Sequence, residues 1–200
     1  MRYIDRNIAE LKSNRSLQLY GVALALTHVV TFLFWWPHEY GQRSPICWTF
    51  FQNCQVLTSA LRSYAFVYLC IYLCFAVVSA VLFLRGNVRP AYWFFLTATI
   101  ANILFQFTDY RMMGNYHYMN HIIGLAFLFL LDKENTLRLF VVMFYFFSGT
   151  IKFNTDWLSG TSMLQTPVVT GKILEFLCAY AIIIELFWSP FLLSKYRGLK

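Results

Sequence analysis

Charged side chains are scarce in this 200-residue chain, where Asp, Glu, Lys and Arg together make up 12%. Soluble domains carry about 25% charged residues and about 45–50% apolar ones, whereas hydrophobic residues here reach 59%. Because so few charges cannot cover a water-exposed surface, the composition excludes an ordinary soluble protein and predicts the lipid bilayer as its solvent. The chain also lacks a repeat, a low-complexity tract and a linker, so we expect one membrane-embedded domain over residues 1–200.

Histidine is scarce too, and the four present are too few for the histidine-rich di-iron clusters of membrane desaturases. His117 and His121 share a helix face, but no glutamate separates them, which excludes the zinc-protease motif. Zinc would need further ligands, so we expect no metal. Two alternatives stay open: a haem held by His28 and His121, and a pair of hydrogen-bonded histidines at the membrane interface.

Six apolar stretches predict an all-α, polytopic membrane protein with about six transmembrane helices. A spanning helix needs about 20 mostly apolar residues. The six predicted spans are Leu17–Trp36, Tyr64–Leu84, Ala91–Thr108, Tyr118–Leu131, Leu137–Ile151 and Ile173–Leu193. The semi-apolar segment Thr155–Lys172 predicts a re-entrant or interfacial segment after the fifth span.

The basic residues are distributed unevenly between the predicted loops. With a cytoplasmic N-terminus, 11 of the 16 Lys and Arg residues lie on the cytoplasmic side and 5 on the outer side. The positive-inside rule therefore predicts that both termini are cytoplasmic, in a bacterial inner membrane or an ER-type membrane. This bias also explains the net charge of +7, and without a basic patch interleaved with aromatics we expect no nucleic-acid partner.

Two of the five cysteines, Cys47 and Cys54, lie in the first predicted outer loop. In an oxidising compartment they are candidates for a disulfide, and two reduced thiols are the alternative. Cys70 and Cys74, one helical turn apart, and Cys178 are predicted to pack as small apolar residues.

Lys152 ends a run that is apolar back to Leu139. An ammonium group is costly in hydrocarbon, so a lysine at this depth is a functional hypothesis by default. In one interpretation Lys152 reaches the lipid headgroups from a helix end. In the other, aromatic walls desolvate it and make it a neutral general base; the candidate walls are Phe144, Tyr145, Phe147 and Phe153.

The predicted topology places Lys152 on the outer side together with other polar groups. We therefore expect an outward-facing pocket that combines Lys152 with His117, His121, Asp109 and Asp156. Glu175, near the outer end of the sixth span, is the predicted partner of Lys152 because both lie at the same depth. Glu185 lies in mid-span, where a carboxylate is expected to face a partner, a polar cavity or one buried hydrogen bond.

The run Tyr145–Met163 resembles a stretch of the vitamin K-dependent gamma-carboxylases and their bacterial HTTM-domain relatives. The resemblance consists of a Tyr-Phe pair, a Ser-Gly pair, Lys152, Asp156-Trp157, a glycine and a methionine at matching spacings. Asn120-His121 resembles the Asn-His motif of that family, and Asn115-Tyr-His117 is a second match to an Asn-x-His pattern.

The resemblance implies a quinol site in which reduced vitamin K or another quinol is the cofactor. Lys152 would be the base that deprotonates the quinol, and His121, or else His117, would assist. Tyr145, Asp156, Trp157, Glu175 and Asp109 would bind the quinol or substrate, and oxygen would convert the quinol into the base for glutamate carboxylation, a lyase reaction.

The carboxylases continue into a large extracytoplasmic domain, whereas this chain ends seven residues after the sixth predicted span. We therefore expect a membrane or extracytoplasmic protein partner to supply substrate binding. The alternative is a non-catalytic membrane subunit that binds a lipid, a quinone or a partner protein. A small quinone-linked redox protein is less favoured, because Cys47 and Cys54 are not a close pair.

Overall fold

The computed structural model of the chain describes residues 3–38, 47, 56, 64–106, 115–160 and 169–193. These residues form helices and short turns, with no β-strand in the described ranges. The helices are α1 (Tyr3–Ser13), α2 (Arg15–His38), α3 (Ala65–Leu84), α4 (Val88–Gln106), α5 (Asn115–Phe129), α6 (Lys133–Ile151), α7 (Thr155–Leu158) and α8 (Lys172–Ile183). The helix α8 continues as a π-helical turn, Ile184–Trp188, and a 3₁₀ turn, Ser189–Leu193. The predicted all-helical class is confirmed.

Three helices of the described residues are long and apolar enough to cross a membrane: Arg15–Leu33, Val67–Leu84 and Lys172–Phe191. They coincide with the first, second and sixth predicted spans and indicate a membrane protein. The other three predicted spans are more polar or shorter: α4 carries Asn102 and Gln106, α6 begins with a charged turn, and α5 has 15 described residues. Fifteen residues extend about 22 Å, less than the roughly 30 Å of a bilayer core.

The chain divides into two compact units, Met1–Lys133 and Glu134–Lys200. In the first unit α2, α3 and α4 pack together around Leu69, Tyr72, Ala76, Ala98 and Phe105. Beside this core the rings of Phe83, Phe95 and Phe127 meet edge to face, the favoured geometry for aromatic pairs. Gly21 lets α2 approach that cluster, because a Cβ there would lie 3.0 Å from Phe127.

At one end of the first unit α1 encloses a buried lysine. The ammonium group of Lys133 is fully buried and donates to Asn7 Oδ1 and to the carbonyl of Leu130. Glu10 Oε2 lies 3.8 Å from it, and Glu10 Oε1 accepts from the Lys133 backbone N–H at 2.6 Å. Burial lowers the pKa of Lys133 to about 8, against the opposing effect of the Glu10 carboxylate.

In the second unit the chain leaves α6 and turns back along α8 through the short helix α7. The ring nitrogen of Trp157 reaches the carbonyl of Cys178. Further on, a Cβ at Gly160 would lie 2.5 Å from Leu174. Gly160 has a φ of 75°, a conformation that glycine adopts without strain. The predicted interfacial segment therefore begins with one helical turn and a glycine bend, and residues 161–168 lie outside the described ranges.

Cys47 is disulfide-bonded, while its predicted partner, Cys54, lies outside the described residues, so the pairing stays a prediction. Cys70, Cys74 and Cys178 carry free thiols. Cys178 is buried, whereas Cys70 and Cys74 are exposed on α3. They lie off the buried face of this helix, which carries Leu69, Tyr72 and Ala76.

Candidate functional site

Lys152 follows the last residue of α6, and its ammonium nitrogen lies 2.5 Å from Glu185 Oε1. The side chains of Lys152 and Glu185 are 23% and 13% exposed, so both charged groups are largely buried within the unit. The attraction in such a pair must offset a large desolvation cost, which requires short, well-directed contacts. The structure therefore places a formal ion pair between two apolar helical segments.

Trp157 supplies a second contact to the same ammonium group. The Lys152 Nζ lies 4.9 Å from the centre of the indole ring, within the range of a cation–π interaction. Asn154 caps α7 by accepting a hydrogen bond from the Trp157 backbone N–H at 2.8 Å. The indole N–H donates to the Cys178 carbonyl at 3.4 Å. The backbone N–H and the indole N–H of Trp157 are thus both hydrogen-bonded, while the face of its ring contacts the Lys152 ammonium group.

Glu185 lies in the π-helical turn that follows α8. Such turns add a residue to a helical turn and are frequent at functional sites. Ser189 donates from Oγ to the Glu185 carbonyl at 2.5 Å. Opposite this turn lies Gly149 of α6, where a Cβ would lie 2.9 Å from Leu186 Cγ and 3.0 Å from Glu185 Cβ. The missing side chain of Gly149 therefore allows the close approach that brings Lys152 to Glu185.

The predicted partner of Lys152 was Glu175, and this prediction is wrong. Glu175 is exposed in the first turn of α8 and forms no ion pair within the described ranges. The prediction assumed that the end of α6 lies level with the start of α8. Instead α7 runs back along α8, so Lys152 meets a residue ten positions further on, about 15 Å along a helix axis.

The other predicted site residues of the second unit lie on its surface. Tyr145 is 45% exposed, and the side chains of Asp156, Phe147 and Phe153 are exposed as well. The ring that contacts the lysine is Trp157, one of the predicted quinol-binding residues. Asp109 lies outside the described residues, so its predicted role stays a prediction.

His117 and His121 are buried on α5, in the first unit, at 2% and 7% exposure. His121 Nε2 lies 2.6 Å from Gln106 Oε1. The predicted pocket that combines these histidines with Lys152 involves residues of both units and stays a prediction.

Sequence reasoning missed a buried polar network in the first unit. Asn102 Nδ2 lies 2.6 Å from the Tyr72 hydroxyl and 3.1 Å from His28 Nδ1. Gln106 Nε2 lies 2.8 Å from Asn102 Oδ1, which extends the network to His121. The signal was present, because Asn102 and Gln106 are spaced i, i+4 in a predicted span, and polar residues at such positions face the protein interior.

No protein-family model, curated protein or solved structure matches the chain. Its chemistry must therefore be inferred from its own geometry. Within the described ranges no group of three His, Cys, Asp or Glu side chains is placed to hold a metal ion. Both ring nitrogens of His28, one of the two histidines of the haem alternative, have neighbours: Tyr72 and Asn102 at Nδ1, and Thr99 at Nε2.

The second oxygen of Glu185 determines what the ion pair can do. Glu185 Oε2 is buried and has no hydrogen-bond partner among the described residues. A buried acceptor without a donor costs about 1–3 kcal/mol, and such a cost suggests a group that is completed by a ligand. The site thus combines a cation, a carboxylate with one open oxygen, and an aromatic face.

Proposed function

We propose that the chain is a multi-pass membrane protein whose Lys152–Glu185 pair binds a quinol and removes a proton from its hydroxyl group. The supporting observation is the 2.5 Å ion pair with its open Glu185 Oε2. A quinol hydroxyl donates the hydrogen bond that Oε2 lacks. The gamma-carboxylase-like motif around Lys152 makes reduced vitamin K the first cofactor to test.

The pair provides a route for the proton. In surroundings of low dielectric constant the charged and neutral forms of a lysine–carboxylate pair come closer in free energy, because both charged forms lose hydration. In the proposed transfer Lys152 would pass its proton to Glu185, and its neutral amine would then accept the hydroxyl proton of a bound quinol. The resulting ammonium group would stabilise the negative charge left on the quinol oxygen.

The test is oxygen-dependent oxidation of reduced vitamin K by the purified full chain in lipid nanodiscs. Lys152→Arg keeps the positive charge but holds its proton at any physiological pH, so we expect at least a hundredfold loss of rate, roughly the size of a general-base contribution. Glu185→Gln cannot receive the proton and should lose a similar factor. Lys172→Arg is a matched control on the exposed first turn of α8, and it should retain the wild-type rate.

Equal rates for wild type and Lys152→Arg would exclude the base role. Carboxylation of glutamate is a further step of the same proposal. Its test adds a glutamate-containing peptide and labelled carbon dioxide to the same sample.

A second candidate function is a non-catalytic membrane subunit that binds a lipid, a quinone or a partner protein. The observation that favours it is the exposed apolar surface of the second unit. Of the most apolar stretch of Lys172–Phe191, only 17% is buried inside the protein. Ile151, Phe153 and Phe187 are 76%, 70% and 66% exposed. Mass spectrometry of the purified protein distinguishes the candidates, since a bound lipid or partner without quinol oxidation supports this one.

The proposed topology has six spans with both termini in the cytoplasm. It is supported by the 11-to-5 distribution of basic residues and by the positive-inside rule. Single cysteines introduced at positions 2 and 156, in a background without native cysteines, should react with an impermeant reagent from opposite sides. Reaction of both from one side would exclude this topology.

A further inference from the structure

The last helical segment of the second unit changes its hydrogen bonding around Glu185. It is an α-helix over Lys172–Ile183 and a π-helical turn over Ile184–Trp188. Because a π-helical turn uses the longer i→i+5 hydrogen bonds and is rare, the local sequence must favour it over the α-helix. The residues that follow the turn, Ser189 and Pro190, provide the reason.

The backbone carbonyl of Glu185 is not reached by either of its helical donors. In an α-helix the donor would be the N–H of Ser189, four residues further on. That N–H donates instead to the carbonyl of Ile184. In a π-helix the donor would be residue 190, but Pro190 has no N–H. The turn therefore needs a side-chain donor at this carbonyl.

Ser189 supplies that donor. Its hydroxyl donates to the Glu185 carbonyl at 2.5 Å, and the residue is buried. A backbone carbonyl away from water needs a hydrogen-bond partner, and a serine that bonds the carbonyl four residues earlier often bends its helix. The hydroxyl of Ser189 therefore completes the π-helical turn at a carbonyl that the backbone does not satisfy.

Pro190 favours the same turn. In an α-helix its ring would collide with the carbonyl four residues earlier, which belongs to Leu186. A wider turn before the proline relieves this collision, and the chain then continues as the 3₁₀ turn Ser189–Leu193. Ser189 and Pro190 thus act on two adjacent carbonyls, because the serine completes that of Glu185 and the proline prevents an α-helical bond to that of Leu186.

The π-helical turn determines which side chains face α6. A Cβ at Gly149 would lie 3.0 Å from Glu185 Cβ and 2.9 Å from Leu186 Cγ, so two successive residues meet the same point of α6. Successive residues of an α-helix lie about 100° apart around the axis, and a wider turn places them at a smaller angle. The turn thus lets Leu186 pack on α6 while Glu185 reaches Lys152.

We propose that Ser189 and Pro190 are positioning residues of the Lys152–Glu185 site. They hold the π-helical turn that directs Glu185 Oε1 to the ammonium group of Lys152, and they act through the backbone of Glu185 without touching the ion pair. The inference rests on the proposed function for the use of this pair, but the contact between the two side chains is measurable without a quinol.

Solid-state NMR of the full chain in lipid bilayers, with ¹⁵N at lysine Nζ and ¹³C at glutamate Cδ, measures the contact. Lys152→Arg identifies the signal of this pair and separates it from that of Lys133 and Glu10. Wild type should show a strong dipolar coupling, because Lys152 Nζ and Glu185 Oε1 are 2.5 Å apart. Ser189→Ala should lose most of this coupling. Ser189→Thr keeps a hydroxyl that can bond the same carbonyl and should retain it. Equal coupling in wild type and Ser189→Ala would overturn the role of the serine.

Thr150 provides a matched control in the same unit. Its hydroxyl also donates to the carbonyl four residues earlier, that of Phe146 at 2.9 Å, but it is exposed on the α-helix α6. Thr150→Val removes this hydrogen bond and should leave the coupling between Lys152 and Glu185 unchanged. A loss as large as that in Ser189→Ala would mean a general weakening of the helices and would overturn the positioning role.

Pro190→Ala tests the turn while favouring the helix. Alanine restores the N–H, removes the ring and has a much higher helix propensity than proline. We expect the helical content, measured by circular dichroism, to be equal or greater, and the coupling between Lys152 and Glu185 to be lost. Retained coupling would overturn the role of Pro190. If Ser189→Ala does not fold, Pro190→Ala still decides.

The rate of quinol oxidation separates this inference from the proposed function. If wild type oxidises the quinol, Ser189→Ala should slow it about tenfold, roughly the effect of one hydrogen bond, and Ser189→Thr should restore the rate. An unchanged rate in Ser189→Ala would overturn the positioning role. If wild type does not oxidise the quinol, the proposed function fails, and a loss of coupling in Ser189→Ala and Pro190→Ala still supports the positioning of the ion pair.

Discussion

The core around Asn102 in the first unit and the contact between α6 and the π-helical turn in the second keep polar groups among apolar helices in different ways. The first unit buries a network of neutral side chains in which each donor meets an acceptor, from His121 to Thr99. The second unit holds a formal ion pair, Lys152 with Glu185, whose members keep 23% and 13% exposure. Neutral hydrogen-bonded groups cost little to bury, whereas charges cost several kcal/mol each. The difference explains why the network lies deep in its core and the ion pair at a helix end.

The largest expected effect comes from removing one partner of the ion pair. Glu185→Ala leaves an uncompensated ammonium group and should destabilise the protein by about 3 kcal/mol. Asn102→Leu breaks the neutral network and should cost about 1–2 kcal/mol. The double variant Lys152→Met/Glu185→Leu should recover most of the stability, because no charge remains buried. Unfolding in denaturing detergent measures all three, and a double variant as unstable as Glu185→Ala would refute the difference between the units.

Replacing one glycine by alanine in each unit should change the stability of the protein by a smaller amount, and in opposite directions. A Cβ at Gly149 would meet Leu186 and Glu185 at 2.9–3.0 Å, whereas one at Gly124 would meet Phe95 at an ordinary 3.6 Å. Gly149→Ala should therefore destabilise the protein by about 1 kcal/mol through overpacking and separate Lys152 from Glu185. Gly124→Ala should stabilise it by up to about 1 kcal/mol through helix propensity. The same detergent titration compares them, and equal effects would show that α6 and α8 do not meet closely.

A pH dependence of stability belongs to the first unit. Burial lowers the pKa of Lys133 to about 8 from 10.5, so between these values the unfolded chain binds more protons than the folded one. Stability therefore rises with pH in this window, whereas below pH 8 the burial cost of Lys133 is fully present and adds no slope. Lys133→Met should remove the part of the rise of stability with pH that Lys133 causes. A slope identical in wild type and variant would mean that Lys133 titrates normally in the folded protein.

The helical class could be predicted from sequence, because it depends on local composition. The partner of Lys152 could not, since counting residues along α8 does not reveal that α7 runs back beside it and brings Trp157 to Cys178. The network around Asn102 was missed for a related reason. Hydropathy treats Asn102, Gln106 and His28 as isolated interruptions of two spans, and only packing shows that they touch.

The protonation state of Glu185 on quinol binding tests the proposed proton transfer most directly. Infrared difference spectroscopy of the full chain in nanodiscs, without oxygen, distinguishes an ionised carboxylate from a protonated carboxyl group. On addition of reduced vitamin K we expect wild type to lose carboxylate absorption and gain carboxyl absorption. The dimethyl ether of the quinol, which has no hydroxyl proton, should produce neither change, and Glu185→Gln should not respond. An unchanged carboxylate in wild type, or the same response in Glu185→Gln, would contradict the proposed role of the Lys152–Glu185 pair.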